Sequence, residues 1–278
     1  MGRKPVCLCH PFREGEVGPL SWEKESILIL VKAAPNWSNK YKKYEICTAG
    51  ISQTNGWRRL YPFPETLMLE EEIHLWDIIE VETTKPTDDP RPESRKIRSA
   101  SVKVIDRIKS RKEKRKVIQS LAEPSLGLAM KEKRSLTLIE PSIDDFKIMR
   151  SEREPLQFTL NGKPFRKHPY GDIRLYYYWS CPKSCRYCKH NSHTSRCFDW
   201  GANLLYRNLL RKSKNEKETR VKVRNKLHYE MKYDNDTWFV LGTTRQRPWK
   251  RWMVVGLLWM KRERVDTKTK SLENFAPA

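Results

Sequence analysis

Long apolar runs are missing from this 278-residue sequence. The longest, Met253 to Met260 (MVVGLLWM), has the length of one strand and falls far short of the ~20 residues that a membrane-spanning helix needs. The opening MGRKPVCLCHP lacks the apolar centre of a signal peptide. These absences predict a soluble, cytoplasmic protein with no membrane partner. Acidic side chains are in short supply as well. Against 56 Lys and Arg there are 34 Asp and Glu, leaving a formal net charge of +22. A field of that sign and size attracts polyanions, of which nucleic acid, DNA or RNA, is the commonest.

Catalytic signatures are equally scarce. No P-loop, G-x-S-x-G elbow or G-x-G-x-x-G occurs, so no catalytic residue is assigned. Asp77, Glu80, Glu82 and Lys85 have the residue types of a metal-dependent nuclease hairpin. Their alternation along a strand sends them to opposite faces, so solvated strand positions are the simpler reading. His190, His193 and Asp199 keep a small metal-finger nuclease open as the alternative function.

What the sequence does have is period-two patterning with turns. Ile27 to Lys32, Tyr44 to Ile51, Trp57 to Tyr61, Ile73 to Thr83 and Ala100 to Ile108 read as strands, with the Asn55-Gly56 hairpin signal between two of them. Such spacing predicts a small antiparallel barrel or sandwich. Lys109 to Met130 is the best helical candidate, interrupted at Pro124. Leu136 to Ile139 and Leu156 to Leu160 read as strands. Arg174 to Trp179 is an aromatic strand, Asp199 to Lys212 an amphipathic helix, and Thr237 to Thr243 and Trp252 to Met260 a closing strand pair.

Seven cysteines in an intracellular chain argue against a disulfide framework, and four of them lie together as Cys181-x3-Cys185-x2-Cys188-x8-Cys197. Zinc takes four soft or borderline ligands in a tetrahedron, and Cys185-x2-Cys188 is a knuckle able to supply two. Cys181, His193 and Cys197 are the candidates for the remainder, and Zn2+ is the expected ion. Cys181, Cys185 and Cys188, with Tyr187, also fit the radical-SAM spacing, which makes a 4Fe-4S cluster the alternative cofactor. Only ninety residues follow Cys188, too few for the rest of such a barrel. Cys7 and Cys9 sit in an N-terminal arm, and Cys47 reads as a small buried residue.

Two basic stretches are candidates for nucleic-acid contact. Between Arg91 and Lys116 twelve Lys or Arg stand against three acids, and Lys103, Arg107, Arg111, Lys112, Lys114 and Arg115 are the named positions. Arg58 and Arg59 beside Trp57, and Arg245, Arg247 and Lys250 beside Trp249, interleave cations with aromatic rings as single-strand binders do.

The segments VKAAPNWSNKYKKYEICTAGI, GWRRLYPFP and DIIEVETTKPTDDPRPESR, with Lys32, Cys47 to Gly50, Arg59 to Pro62 and Arg91 to Ser94 as the carrying positions, resemble the uncharacterised dual-OB-domain proteins of bacteria and archaea. The His193 loop, Asp199-Trp200 and the closing FVLGT and WMVVGLL strands extend the likeness over residues 27–260, while Gly201 departs from it. The resemblance implies two OB-like barrels and oligonucleotide binding. The expected fold is therefore mainly β (α+β), with two OB-like β-barrel lobes, a basic helical connector and a metal-binding Cys-rich loop. The expected layout is an extension over 1–26, a first β domain over 27–110, the connector over 111–150, a second β domain over 151–265 carrying the 181–197 loop, and a tail over 266–278. The expected function is nucleic-acid binding with a structural zinc site, within a larger defence or nucleic-acid-processing assembly that supplies protein partners.

Overall fold

The computed structural model describes residues 21–38, 43–64, 73–150, 173–183, 192–246 and 248–262. The first half is built from β1 (Glu23–Lys32), β2 (Asn36–Ser38), β3 (Lys43–Ser52), β4 (Gly56–Pro64), β5 (Asp77–Thr84), β6 (Ser94–Ile97) and β7 (Lys103–Arg107). The first part of β1 pairs with β5, from Glu23↔Thr83 to Leu28↔Ile78. Its second part pairs with β3, from Ile27↔Ser52 to Lys32↔Thr48. One ten-residue strand is thus shared by two neighbours, and the ring β1-β3-β4-β6-β5 closes on itself. Counting only these five, the order is first, second, third, fifth, fourth, with the third and fifth parallel at Arg59↔Ser94. Alternation fills the barrel: Ile27, Ile29, Ile46, Leu60, Phe63, Ile79 and Val81 point inward. Gly50 is required where β3 crosses β1, because a Cβ there would lie 2.0 Å from the Leu28 carbonyl oxygen. The Asn55-Gly56 turn forms as expected, with Gly56 at φ 70°.

Two helices follow, α1 (Arg111–Leu121) and α2 (Leu126–Lys131), restarting just after Pro124. The second sheet comprises β8 (Ala122–Glu123), β9 (Leu136–Ile139), β10 (Ser142–Arg150), β11 (Ile173–Ser180), β12 (Ser192–Cys197), β13 (Asn235–Thr243) and β14 (Trp252–Lys261). Its order is β10-β11-β12-β14-β13-β9-β8. β9 and β10 are separated only by Glu140 and Pro141, and Pro141 has no N–H to continue a ladder. β9 pairs with β13 and β10 with β11, so this bent segment relates to its neighbours as β1 does to β5 and β3. β12 and β14 are parallel at Cys197↔Val254, repeating the third-to-fifth pairing of the first half. Between β12 and β13 run α3 (Trp200–Ser213), α4 (Glu216–Arg224) and a π-helix over Asn225–Asp234.

The halves share a core. Leu30, Val31, Ala49 and Trp57 of the first pack with Leu136, Leu138, Trp238, Val240 and Val255 of the second. A Cβ on Gly256 would come within 3.1 Å of Val31, which marks the close approach of β14 to β1. Trp200 from α3 belongs to the core of the first barrel, and the Ala34 N–H donates to the Phe198 carbonyl at 2.6 Å.

The molecule is mainly β with few helices, as expected, but the boundaries shift. β1 begins at Glu23, inside the expected extension. The expected connector 111–150 carries β8, β9 and β10 of the second sheet besides its helices. β10 is hard to read in SIDDFKIMR because it buries only Ile143 and Phe146, three residues apart across a register shift, which breaks the period-two pattern. The expected strand at Leu156 to Leu160 lies outside the described residues.

Candidate nucleic-acid interface and metal loop

β11 runs out of the second sheet at Cys181, and the register Trp179↔His193 sets His193 on the neighbouring strand beside that exit. The Cys181 Sγ and His193 Nε2 are 3.4 Å apart. Tetrahedral zinc with Zn–S ~2.3 Å and Zn–N ~2.0–2.1 Å separates two such ligand atoms by about 3.5 Å, so this pair fits two corners of the site. The His193 ring stacks on Trp179 with centroids 4.4 Å apart. Burial lowers the His193 pKa and favours the neutral imidazole that binds metal. Cys185, Cys188 and His190 lie outside the described residues. Among the described residues no group of three or more metal-ligating side chains is assembled.

Cys197 lies elsewhere on the second sheet. It pairs with Leu175, six positions back along β11 from Cys181, and at ~3.3 Å per residue that is about 20 Å. Its side chain sits in the core of the second half, where burial pushes the thiol pKa well up. The register therefore does not bring Cys197 beside Cys181.

Arg58 and Arg59 are both buried. Arg58 Nη2 meets Glu25 Oε1 at 2.8 Å, with both side chains buried. Burial pushes the Glu25 carboxyl up, yet the hydrogen bonds from Arg58 and Asn55 outweigh it and hold its pKa below the usual value. Arg59 donates to the Ser135 carbonyl at 3.0 Å and to Cys47 Sγ at 3.3 Å. Both guanidinium groups are engaged inside the protein, at the seam and the barrel end. The other motifs of the resemblance gather nearby. Glu93 accepts from the Ser135 N–H, Arg91 donates to the Thr243 carbonyl, and Lys32 lies 5.1 Å over the Trp200 ring.

The remaining basic positions are spread over two regions. Lys103 and Arg107 on β7 and Arg111 and Lys112 on α1 are exposed. Arg107 is paired with Asp77, Arg115 with Asp236 at 2.9 Å, and Lys114 sits 5.4 Å over Trp76. In the β13–β14 turn Arg245 meets Asp88 at 3.0 Å and the Trp249 indole donates to the Lys133 carbonyl, while Lys250 is exposed. Arg247 is outside the described residues.

A third surface was not singled out from the sequence. The inward face of β11 is Ile173, Leu175, Tyr177 and Trp179; the opposite face is Arg174, Tyr176, Tyr178 and Ser180, half-buried throughout. Across from Tyr176 and Tyr178 stand Arg196 and Thr194 of β12. On the other side Lys147 of β10 is opposite Tyr176, and its Nζ lies 4.7 Å over the Tyr178 ring. Burial lowers the Arg196 pKa, and the nearby charge of Arg174 adds to this. The Arg196 guanidinium lies 4.3 Å over the Phe198 ring, and two like charges held near each other on this face invite an anion. The signal was available: alternation in RLYYYW assigns every second aromatic to the open face.

Asp199 is deeply buried at the start of α3. Its Oδ1 accepts from the Ala202 N–H at 2.8 Å and its Oδ2 from the Leu257 N–H at 3.1 Å. Burial raises its pKa to about 6 against these bonds.

A model for a domain of unknown function (DUF8758) matches residues 23–121, and a model for a second domain of unknown function (DUF8757) matches residues 127–277. The chain belongs to the DUF8757 family. The DUF8757 match covers α2 and the second sheet from β9 onward, and the seam between the two matches falls at β8, where α1 hands over to the second half. No curated protein matches the sequence.

Proposed function

We propose that this DUF8757 protein binds single-stranded nucleic acid across the outer face of β11 and β12. The observation that carries the reading is the Tyr176, Tyr178, Arg174, Arg196 and Lys147 face, where rings for stacking bases adjoin cations for phosphates. The strand order supports it. First, second, third, fifth, fourth around a five-stranded ring is the Greek-key order of an OB barrel, and the second half repeats it through β9/β10, β11, β12, β14 and β13. OB barrels bind oligonucleotides on their second and third strands and on the loop between the fourth and fifth. In the second half those are β11, β12 and the turn holding Arg245, Lys250 and Arg251. The net charge of +22 supplies the long-range attraction.

In this reading zinc is held by Cys181, Cys185, Cys188 and His193, and it clips the connection between the second and third strands. Three thiolates and one imidazole make a closed structural site. A nuclease based on Asp199 has little support, since both carboxylate oxygens are engaged by backbone N–H groups. Partners in a larger processing assembly would dock elsewhere, leaving β11 and β12 open.

Fluorescence anisotropy with labelled oligo(dT) and oligo(U) tests the proposal. Binding should weaken steeply as salt rises, because each neutralised phosphate releases counterions. Replacing Tyr176 and Tyr178 by Ala should cost about tenfold or more in affinity, with no loss of folded structure. Absence of binding at low salt would end the reading.

A further inference from the structure

Three aromatic rings lie open beyond the barrel face. Tyr229 and Tyr233 of the π-helix are 45% and 60% exposed, and Trp259 of β14 is 45% exposed. The two tyrosine rings are nearly parallel, at 14°, with centroids 6.4 Å apart. A base slid between two rings needs roughly twice the ~3.4 Å rise of stacked bases, so a small opening of this pair admits one. Each ring has a cation above it: Arg224 at 5.9 Å from Tyr229, Lys232 at 5.5 Å from Tyr233, and Lys226 at 5.1 Å from Trp259. Asp145 and Glu230 pair with Arg224 and Lys226, which fixes those side chains and reduces their free charge. The surface is therefore aromatic first and cationic second. That balance suits unpaired bases; a duplex offers phosphates and groove edges but no base face to stack.

A solvent-open groove runs from Tyr178 of β11 to Arg224, the residue that lies over Tyr229. It runs between α4 and β10, with Met149, Val221 and Tyr178 on its apolar side and Lys147 and Arg224 among its cations. Met149 and Val221 are 49% and 59% exposed. Tyr178 and Lys147 belong to the β11 face and Arg224 reaches over Tyr229, so the groove shares residues with one aromatic surface and borders the other.

We infer that a bound single strand leaves the β11–β12 face, follows the groove beside β10, and stacks bases on Tyr229 and Tyr233 as a second platform. This rests on the proposed single-strand binding and adds a direction and a length to it. The test compares wild type, Tyr229→Ala/Tyr233→Ala and Tyr176→Ala/Tyr178→Ala, using oligo(dT) and oligo(U) of ~6 and ~20 nucleotides and a duplex of ~20 base pairs. The helix pair should weaken the long single strands about tenfold or more and leave the short ones within about twofold. The sheet pair should weaken both lengths. Equal losses with dT and U would assign the platform to base faces; a loss with only one would assign it to that sugar and base. If wild type binds the long strands and the helix variant binds them equally well, the second platform is wrong and the first reading stands. If the helix variant loses duplex binding as much as single-strand binding, the stacking account is wrong. Binding of no oligonucleotide by wild type would remove both. Exposure of the two tyrosines means that the variant should unfold at the wild-type temperature, so a lost affinity is not a lost fold.

Discussion

The same strand order serves opposite ends in the two halves. In the first barrel the third strand is covered: Trp57 and Arg59 of β4 face the second half, against the shared core and the Ser135 carbonyl. Its fourth-to-fifth loop is also occupied, with Asp88 on Arg245 and Arg91 on the Thr243 carbonyl. In the second half the equivalent strands, β11 and β12, keep Arg174, Tyr176, Tyr178 and Arg196 on an outer face. On the first barrel this face is a docking surface for the second half; in the proposed reading the equivalent face of the second sheet is left for a ligand. A basic residue on a barrel strand is therefore informative only once its face is known to be open.

The largest effect should come from breaking the closed side. Arg58→Met leaves the buried Glu25 carboxylate without its guanidinium, and removal of one partner from a buried pair costs about 3–5 kcal/mol. Urea unfolding should read that loss, with oligonucleotide affinity unchanged while the variant is folded. A smaller effect tests the loop contact. The Asp89 carboxyl is pushed up by burial, but Arg91 and Ser94 bind its ionised form and bring its pKa to about 2. A folded pKa below the unfolded value of 3.8 stabilises the protein above about pH 4, and that contribution is lost as pH falls from about 4 to 2. The loss should be on the order of 2 kcal/mol, and the Asp89→Asn variant should lack this part of the acid sensitivity. If both proteins lose stability in parallel through that window, Asp89 is not what holds Arg91 in place for the Thr243 carbonyl.

The proposed zinc site sharpens the same contrast with the least effect on overall stability. Elemental analysis should find about one equivalent of zinc, lost in Cys181→Ala and retained in Cys197→Ala. Iron with sulfide would contradict zinc, and loss of zinc from Cys197→Ala would contradict the register that separates the two cysteines.

Much of the fold was legible. Period-two runs located most strands, Asn55-Gly56 located a hairpin, and Asp199 located the start of α3 because an N-terminal carboxylate can accept from an exposed N–H. The concealed parts depend on partners distant in sequence. Nothing beside Arg58 announces Glu25, 33 residues earlier, and nothing beside Arg59 announces Ser135. Cys197 stood close to Cys181 in the chain, but two antiparallel strands carry them to opposite ends of the sheet. Tyr176 and Tyr178 were readable by parity, yet five consecutive large side chains in LYYYW disguised the alternation. The basic run on α1 drew attention by density of charge, which reports attraction at long range but not where bases stack.

Photo-crosslinking of bound oligo(U), with the modified peptides mapped by mass spectrometry, bears most directly on the claim that the open face of the second barrel is the binding surface. Crosslinks should fall on residues 173–180 and 192–197. Crosslinks confined to α1 and β7 would contradict it.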